Sequence, residues 1–317
     1  MYKYTGKENI EEFLLSLDLL NCKNPKKYIK TLYALSNDIE NCYKVFKIKK
    51  RNGKKRTIHE PKPILKHIQR KLLDNLLIER KISNYATAYQ RGISLKNNVE
   101  VHTKKNVILK LDISNFFESI SIVNVLDHAF PTELFPLQIG MLFATLCTYD
   151  DHLVQGAPTS PYISNLIMFD FDEELGSWCK NNDIDYTRYS DDMTFSGSFD
   201  VRTVITKVKN LLKPLGLRLN YQKIHVIKHS QSQNVTGITV NEKIQIARKY
   251  RKKIRQSIYY IEKFGIESHL KYTKDRMTAE YYLESLRGKI NYVLSIDNEN
   301  EEFKKYKNKV EKWRNEL

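Results

Sequence analysis

The sequence predicts an α+β fold, and three observations carry that prediction. Stretches with apolar residues every three or four positions, the mark of helices, occupy both ends of the chain. Among them lie short β-prone runs bounded by turn residues, of which 43–61 and 186–195 read as hairpins. A nearly continuous apolar run at 106–112 (NVILKLD) reads as a buried strand ending on an acid, Asp112. At 317 residues the chain can bury a large core as one complex domain or two to three subdomains.

Lysine and arginine number 53 against 37 acids, a formal charge of +16. That surplus favours a polyanionic partner, nucleic acid first and an anionic membrane second, although a lysine-rich composition also yields it without a partner. There is no N-terminal apolar core of a signal peptide and no apolar run of ~18 residues, which argues against secretion and membrane spanning. Cys22, Cys42, Cys147 and Cys179 form no C-x-x-C pair, so neither a zinc cluster nor a disulfide framework is indicated, and a reducing cytoplasm fits. No internal repeat is present.

In order along the chain, Ile10, Phe13, Leu14, Leu17 and Leu20 make a helical stripe over 8–20, and Tyr28, Leu32 and Leu35 a second. In the hairpin at 43–61, Val45, Phe46 and Ile48 alternate against Thr57 and Ile58 around Arg51-Asn52-Gly53, Asn-Gly being a strong turn signal. Its tip carries Lys49, Lys50, Arg51, Lys54, Lys55 and Arg56. Two readings stay open: an edge hairpin protected by lysines, or a cationic finger that grips phosphates. Ile64, Leu65, Ile68, Leu72, Leu76 and Leu77 give a helix over 64–82. The loop at 88–92 (AYQRG) sets Arg91 beside Gly92, where it either approaches a phosphate or base or is an ordinary exposed arginine.

A carboxylate at the end of a buried strand is costly unless it caps a helix or binds a metal. Capping has a natural place here, because 114–125 reads as a helix directly after Asp112. Residues 155–161 (QGAPTSP) are a Gly-containing loop that runs into a helix start at Thr159-Ser160-Pro161, followed by the stripe Ile163, Leu166, Ile167 and Phe169. Such a loop can touch a nucleotide's base, sugar or phosphate. Residues 186–195 (YTRYSDDMTF) place Asp191 and Asp192 at a hairpin tip, which alone reads more readily as a solvated acidic turn than as a catalytic one. Ala247, Tyr250, Ile254, Ile258 and Ile261 form a helical stripe whose opposite face bears Arg248, Lys249, Arg251, Lys252, Lys253 and Arg255. That face is either solvated or a track for phosphates. Tyr282, Leu283, Leu286, Ile290 and Val293 predict a further helix, and 303–313 a short last one.

Taken together, Asp112, the 155–161 loop and 189–192 (YSDD) resemble the A, B and C motifs of a reverse transcriptase palm. The 43–61 hairpin resembles that family's fingers motif, 216–223 (GLRLNYQK) its D motif, and 234–241 (NVTGITVN) its primer-grip hairpin. The match covers 43–297. Within the family the chain is most similar to bacterial retron reverse transcriptases. Residues 98–102 (NVEVH) resemble the retron Asn-Ala-x-x-His signature, with Val99 for the usual Ala, and 235–237 match its Val-Thr-Gly. Residues 286–288 (LRG) and 294–297 (LSID) resemble the retron C-terminal region, and Ser190 stands where retrons usually have Ala.

The resemblance implies a right-hand polymerase fold with fingers, an antiparallel-sheet palm and a helical thumb. Residues 1–106 would form the N-terminal helices and fingers, 107–242 the palm with some fingers elements interleaved, and 243–317 the thumb. It implies an RNA-directed DNA polymerase in which a primer 3′-hydroxyl attacks the α-phosphorus of a deoxynucleotide and releases pyrophosphate. Two Mg²⁺ ions, with Mn²⁺ as a substitute, would be held by Asp112 and Asp191, with Asp192 less direct; carboxylate oxygens suit such hard cations. Lys223 would serve the leaving pyrophosphate. Arg56, Arg91, Phe117, Gln155 and Gly156 would meet the nucleotide, Phe117 as a steric gate against the ribose 2′-hydroxyl, with one of Phe116 and Phe117 in the core. Asn98, His102, Tyr189, Val235, Thr236, Gly237, Arg248, Lys249, Arg251, Lys252 and Arg255 would meet nucleic acid.

The retron likeness further implies multicopy single-stranded DNA (msDNA), primed from the 2′-hydroxyl of a guanosine in a cognate noncoding RNA. It also implies antiviral defence beside an effector protein, in the cytoplasm and with no membrane partner. No endonuclease, RNase H or maturase-like extension is recognised, which favours a compact, RNA-dedicated enzyme. The alternatives are an abortive-infection, diversity-generating or group II intron-like reverse transcriptase, or a catalytically idle RNA-binding scaffold. Intact Asp112, Asp191 and Asp192 argue against the scaffold.

Overall fold

Local chemistry sets where the elements begin in the computed structural model, which describes residues 8–22, 24–49, 53, 55–273 and 277–317. Helices α1 (Glu8–Ser16) and α2 (Pro25–Asn37) come first, and the side chain of Asn24 caps α2 by accepting from Lys27 N at 3.0 Å. Strands β1 (Tyr43–Lys49) and β2 (Lys55–Pro61) pair antiparallel in the register Tyr43 to Pro61 and Lys49 to Lys55. The turn residues Arg51 and Asn52, with Lys50 and Lys54, lie outside the described residues. Helix α3 (Pro63–Leu72) continues as a π-helical turn, Leu73–Leu77. Then come α4 (Leu95–Glu100) and β3 (Val107–Asp112).

The expected helix over 114–125 is two helices, α5 (Phe116–Ser119) and α6 (Ile122–Ala129). Ser121 and Asn124 form a capping box that starts the second, and Asn115, with φ of 45°, is the cap residue of the first, so Asp112 caps neither. Helices α7 (Leu137–Cys147), α8 (Ser160–Ile167) and α9 (Phe169–Asn181) follow, with Pro161 in the first turn of α8. Next are β4 (Asp185–Tyr189), β5 (Asp192–Gly197), α10 (Val201–Leu212), β6 (His225–Lys228), β7 (Asn234–Val235), β8 (Ile238–Thr239) and β9 (Gln245–Ile246). The chain finishes with α11 (Arg248–Phe264), α12 (Ile266–Thr273), α13 (Ala279–Ile296) and α14 (Glu301–Asn315), the last being longer than the sequence pattern predicts. The sheets run β1-β2, β4-β5-β3-β6 and β7-β8-β9.

The residues divide into two compact units. Unit 1 takes the chain up to Ile93, Lys110–Thr194 and Phe199–His225. Its core includes an aromatic cluster in which the rings of Phe130 and Phe143 lie 5.5 Å apart and those of Phe13 and Phe143 6.3 Å. Gln69 on α3 donates to Tyr43 Oη and to Leu146 O, both at 2.8 Å, which ties the β1–β2 hairpin to α3 and α7. Unit 2 takes Ser94–Leu109, Phe195–Ser198 and Val226–Leu317, and its core gathers Val99, Ile108, Val235, Ile254, Ile258, Leu286, Ile290 and Phe303. Cys42, Cys147 and Cys179 are buried and Cys22 is half-buried; burial pushes the Cys147 and Cys179 thiols up to about 12. No described helix is long and apolar enough to cross a membrane.

Candidate active site

Strand β3 delivers Asp112 and the turn between β4 and β5 delivers Asp191, and backbone hydrogen bonds hold the two ends in register. Ile113 N donates to Asp191 O at 3.2 Å, Asn220 N to Asp112 O at 2.8 Å, and Ser114 N to Arg218 O at 2.8 Å. Residues 218–220 therefore lie along 112–114, and the 3-10 turn Tyr221–Lys223 follows at once. Lys223 Nζ reaches Asp112 Oδ2 at 2.6 Å. The cleft over these groups, about 490 Å³, is also lined by Lys55, Arg56, Phe117, Gln155 and Gln222. That is the size of a small-molecule site.

The electrostatics are those of a cation site. Asp112 is buried, Asp191 and Asp192 half-buried. Loss of water pushes the Asp191 carboxyl above the usual range, and the Asp112 charge adds to it. Asp192 is raised the same way, by burial first and by Asp191 second. For Lys223 burial works downward, but the hydrogen bond and charge of Asp112 outweigh it and hold the ammonium above its ordinary value. Among the described residues no group of three His, Cys, Asp or Glu side chains is arranged to hold a metal alone. Mg²⁺ is commonly held by one or two carboxylates, with substrate phosphates completing the shell. Asp112 and Asp191, crowded acids on a nucleotide-sized cleft, fit that donor set.

The wall opposite is built by β2 and the 155–161 loop. His59 N donates to Gln155 O at 2.9 Å. Gly156 has φ of 124°, and a Cβ there would stand 2.5 Å from His59 O, so only glycine lets the loop approach β2 this closely. Gln155 Oε1 is buried without a hydrogen-bond partner and so keeps an acceptor in reserve. Phe116 goes into the core at 4% exposure, whereas Phe117 is half-buried and lines the cleft. Arg91 does not line the cleft: its side chain is 80% exposed and sits 3.6 Å from Asp74. Tyr189, half-buried, ends β4 at the acidic turn.

The reverse transcriptase (RNA-dependent DNA polymerase) family profile matches residues 48–240. The Retron Ec83 reverse transcriptase of Escherichia coli is 33% identical over 272 residues, covering 80% of this chain and 83% of that one. The chain belongs to the bacterial retron reverse transcriptases. The Retron Mx65 reverse transcriptase of Myxococcus xanthus is 31% identical over 238 residues, 68% of this chain and 55% of that one, so the chain spans about half of that relative's length. Telomerase from Candida albicans, solved in complex with a fragment of telomeric RNA, aligns over 90% of this chain and 70% of that one at 11% identity, with a TM-score of 0.47. This reverse transcriptase is an RNA-directed DNA polymerase with the right-hand polymerase fold.

Its retron signatures lie inside unit 2. Asn98, His102 and Val235 are 1%, 0% and 0% exposed, which corrects the expectation that their side chains meet nucleic acid. Asn98 Nδ2 donates to Thr236 Oγ1 at 3.2 Å, and His102 Nδ1 lies 2.7 Å from Ser196 Oγ. Burial, helped by Lys105, holds the His102 imidazole down at about 3, so it is neutral at physiological pH. Asn98 thus braces the β7–β8 turn, whose Thr236 and Gly237 have φ of 45° and 85°, whereas His102 is bonded to β5. On α11 of the reverse transcriptase, Arg248, Lys249, Lys252 and Lys253 are exposed. Arg251 and Arg255 are half-buried and engaged within the unit: Arg251 donates to Ile246 O at 2.9 Å and Gln245 Oε1 at 2.8 Å, and Arg255 grips Glu302 through two bonds of 2.6 Å.

Sequence reasoning missed Arg188 and Asp172, both 0% exposed, whose side chains meet at 2.5 Å beneath the acidic turn. The signal was present: a charged residue inside a short run of strand formers needs a buried partner. The partner itself was not legible, because it comes from α9.

Proposed function

We propose that this reverse transcriptase copies its cognate noncoding RNA into multicopy single-stranded DNA, joined to the RNA as a branched product, by two-metal nucleotidyl transfer. The reading places it in an antiviral defence system beside an effector protein, in the cytoplasm, a setting that suits four unpaired cysteines. Residues up to 106 serve as N-terminal helices and fingers, 107–242 as palm and 243–317 as thumb. The observation that supports the chemistry is the meeting of Asp112, Asp191 and Lys223 under a cleft walled by Arg56, Phe117 and Gln155. The retron part rests on the kinship reported above.

Two Mg²⁺ or Mn²⁺ ions would supply charge neutralisation at the α-phosphate and a lowered pKa for the primer 3′-hydroxyl. Asp112 and Asp191 would hold them, with Asp192 one residue further on as the less direct acid. Positioning and charge neutralisation dominate phosphoryl transfer, so the remaining residues act chiefly by placing the substrate. Arg56 takes the triphosphate. Gln155 meets the base or sugar with its spare acceptor, and the Phe117 ring bars a 2′-hydroxyl. Lys223 keeps its proton at Nζ, where it can swing from Asp112 toward the departing pyrophosphate; its side chain is 56% exposed and has room to do so. Tyr189 in unit 1, and separately Thr236, Gly237 and the exposed cations Arg248, Lys249 and Lys252 in unit 2, serve as contacts for nucleic acid.

Expression of the chain with its upstream flanking RNA should yield RNase-resistant small DNA, lost in Asp191→Asn while RNA binding is kept. Robust extension of generic primer–templates with no such DNA overturns the retron product. Extension by Asp191→Asn overturns the metal site.

A further inference from the structure

We infer that Arg188 is a positioning residue for catalysis, transmitting the anchorage of the buried Asp172 carboxylate to the carbonyl of Ser190 and so fixing Asp191 against Asp112. This rests on the proposal that Asp112 and Asp191 hold the metal.

The turn that presents Asp191 is not self-supporting. Ser190 has φ of 61°, in the left-handed region that a side chain rarely adopts without being held. The hold comes from Arg188. Its Nη1 donates to Ser190 O at 3.0 Å, while Nε lies 2.9 and 3.1 Å from the two Asp172 oxygens and Nη2 donates to Oδ2 at 2.5 Å. Tyr186 Oη donates to Asp172 Oδ1 at 2.8 Å and fixes the acid from its other side. Only a planar fork can grip Asp172 and reach Ser190 together, which a lysine ammonium cannot do.

Residues 85–89 join the same network. Arg188 N donates to Tyr85 O, and Thr87 N to Arg188 O, both at 2.8 Å, in a parallel bridge between Ala86 and Arg188. Asn165 on α8, the helix that follows the Gln155 loop, donates to Ala88 O at 2.9 Å. Tyr89 Oη then donates to Ser190 Oγ at 3.1 Å, so the turn is tied from beside as well as beneath. A buried ion pair is a poor source of stability compared with apolar residues of the same volume. A pair kept only for folding would not need a third donor aimed at the turn. Placement of Ser190 is what the arginine adds.

The test compares Mn²⁺ binding to the full chain, followed by electron paramagnetic resonance of free Mn²⁺. The variants are Asp172→Leu/Arg188→Met, which removes both charges, and Arg188→Lys, which keeps the charge opposite Asp172. Circular dichroism melts select the variants that remain folded. A folded variant should bind Mn²⁺ about 10-fold more weakly, as expected for a residue that orients a metal ligand. Its kcat should fall while KM for dTTP stays within about twofold. Wild-type Mn²⁺ affinity in either folded variant overturns the inference, as does a loss that merely tracks the unfolded fraction. Asp112→Asn separates the two layers of argument. If it binds Mn²⁺ as wild type does, the metal reading fails; if it weakens binding and the Arg188 variants do not, only the role of Arg188 fails.

Discussion

Lys223 Nζ lies 2.6 Å from Asp112 Oδ2, so a single ammonium answers Asp112 directly and Asp191 only at longer range. Replacing it should sharpen the demand of both acids for a cation. Lys223→Met should lower the melting temperature without Mg²⁺ by about 2–4 °C, the shift expected for the ~1 kcal/mol upper value of a partly exposed pair. It should also enlarge the rise that Mg²⁺ produces. Differential scanning fluorimetry with and without MgCl₂ reads both, and an unchanged Mg²⁺ response would show that Lys223 does not share the acids' field.

The raised pKa of Asp191 has a definite sign for stability. Its folded-state value lies above the unfolded value near ~3.9, so the ionised carboxylate costs stability at neutral pH and the cost fades as pH falls through the raised pKa. Asp191→Asn should therefore melt above wild type at pH ~7 without Mg²⁺, and the gap should close toward pH ~4, while extension is lost. A gap that does not change with pH would contradict the sign.

Gly156→Ala tests the seam between the 155–161 loop and β2. The alanine would carry φ of 124° and a Cβ 2.5 Å from His59 O, so strand and loop must part. A loss of ~1–3 kcal/mol in stability is expected from such backbone strain, together with a clear rise in KM for dNTPs as Gln155 shifts. Urea titration and steady-state kinetics check the two halves; a variant that matches wild type in both would mean that the close approach is dispensable.

On α11 the structure separates two kinds of cation. Lys249→Gln and Lys252→Gln, both at exposed sites, should flatten the dependence of log affinity for a primer–template duplex on log salt. The slope should fall by ~0.9 for each phosphate that is no longer neutralised. Arg255→Gln should instead lower thermal stability, because it breaks the two bonds to Glu302. Filter binding across a salt series, with melts in parallel, would expose an exchange of these roles.

Phe117→Ala should relax discrimination against ribonucleotides. The measurement is the ratio of kcat/KM for dCTP and CTP, and an unchanged ratio removes the gate from Phe117.

Much of the site could be read from the sequence because its parts are short and local. Asp112 ends an apolar strand, Gly156 and Pro161 punctuate a loop, and two acids crowd a turn, each readable within about ten residues. What escaped depends on partners brought together by the fold. Arg188 meets Asp172 from a different helix, and Arg255 finds Glu302 on α14, so a basic face that looks free by periodicity is partly committed. His102 and Asn98 read as recognition residues through the retron likeness, yet packing of unit 2 turns both inward. The helix expected over 114–125 fails for a local reason that was visible, the Ser121 and Asn124 capping box.

The buried thiols give the enzyme a built-in handle. With Cys42, Cys147 and Cys179 enclosed, a maleimide meets Cys22 first, so one fluorophore can be attached near the N-terminal helices without altering the sequence. Labelling beyond one dye per chain then becomes a stopwatch for global opening, since the other three sulfurs react only as their surroundings come apart.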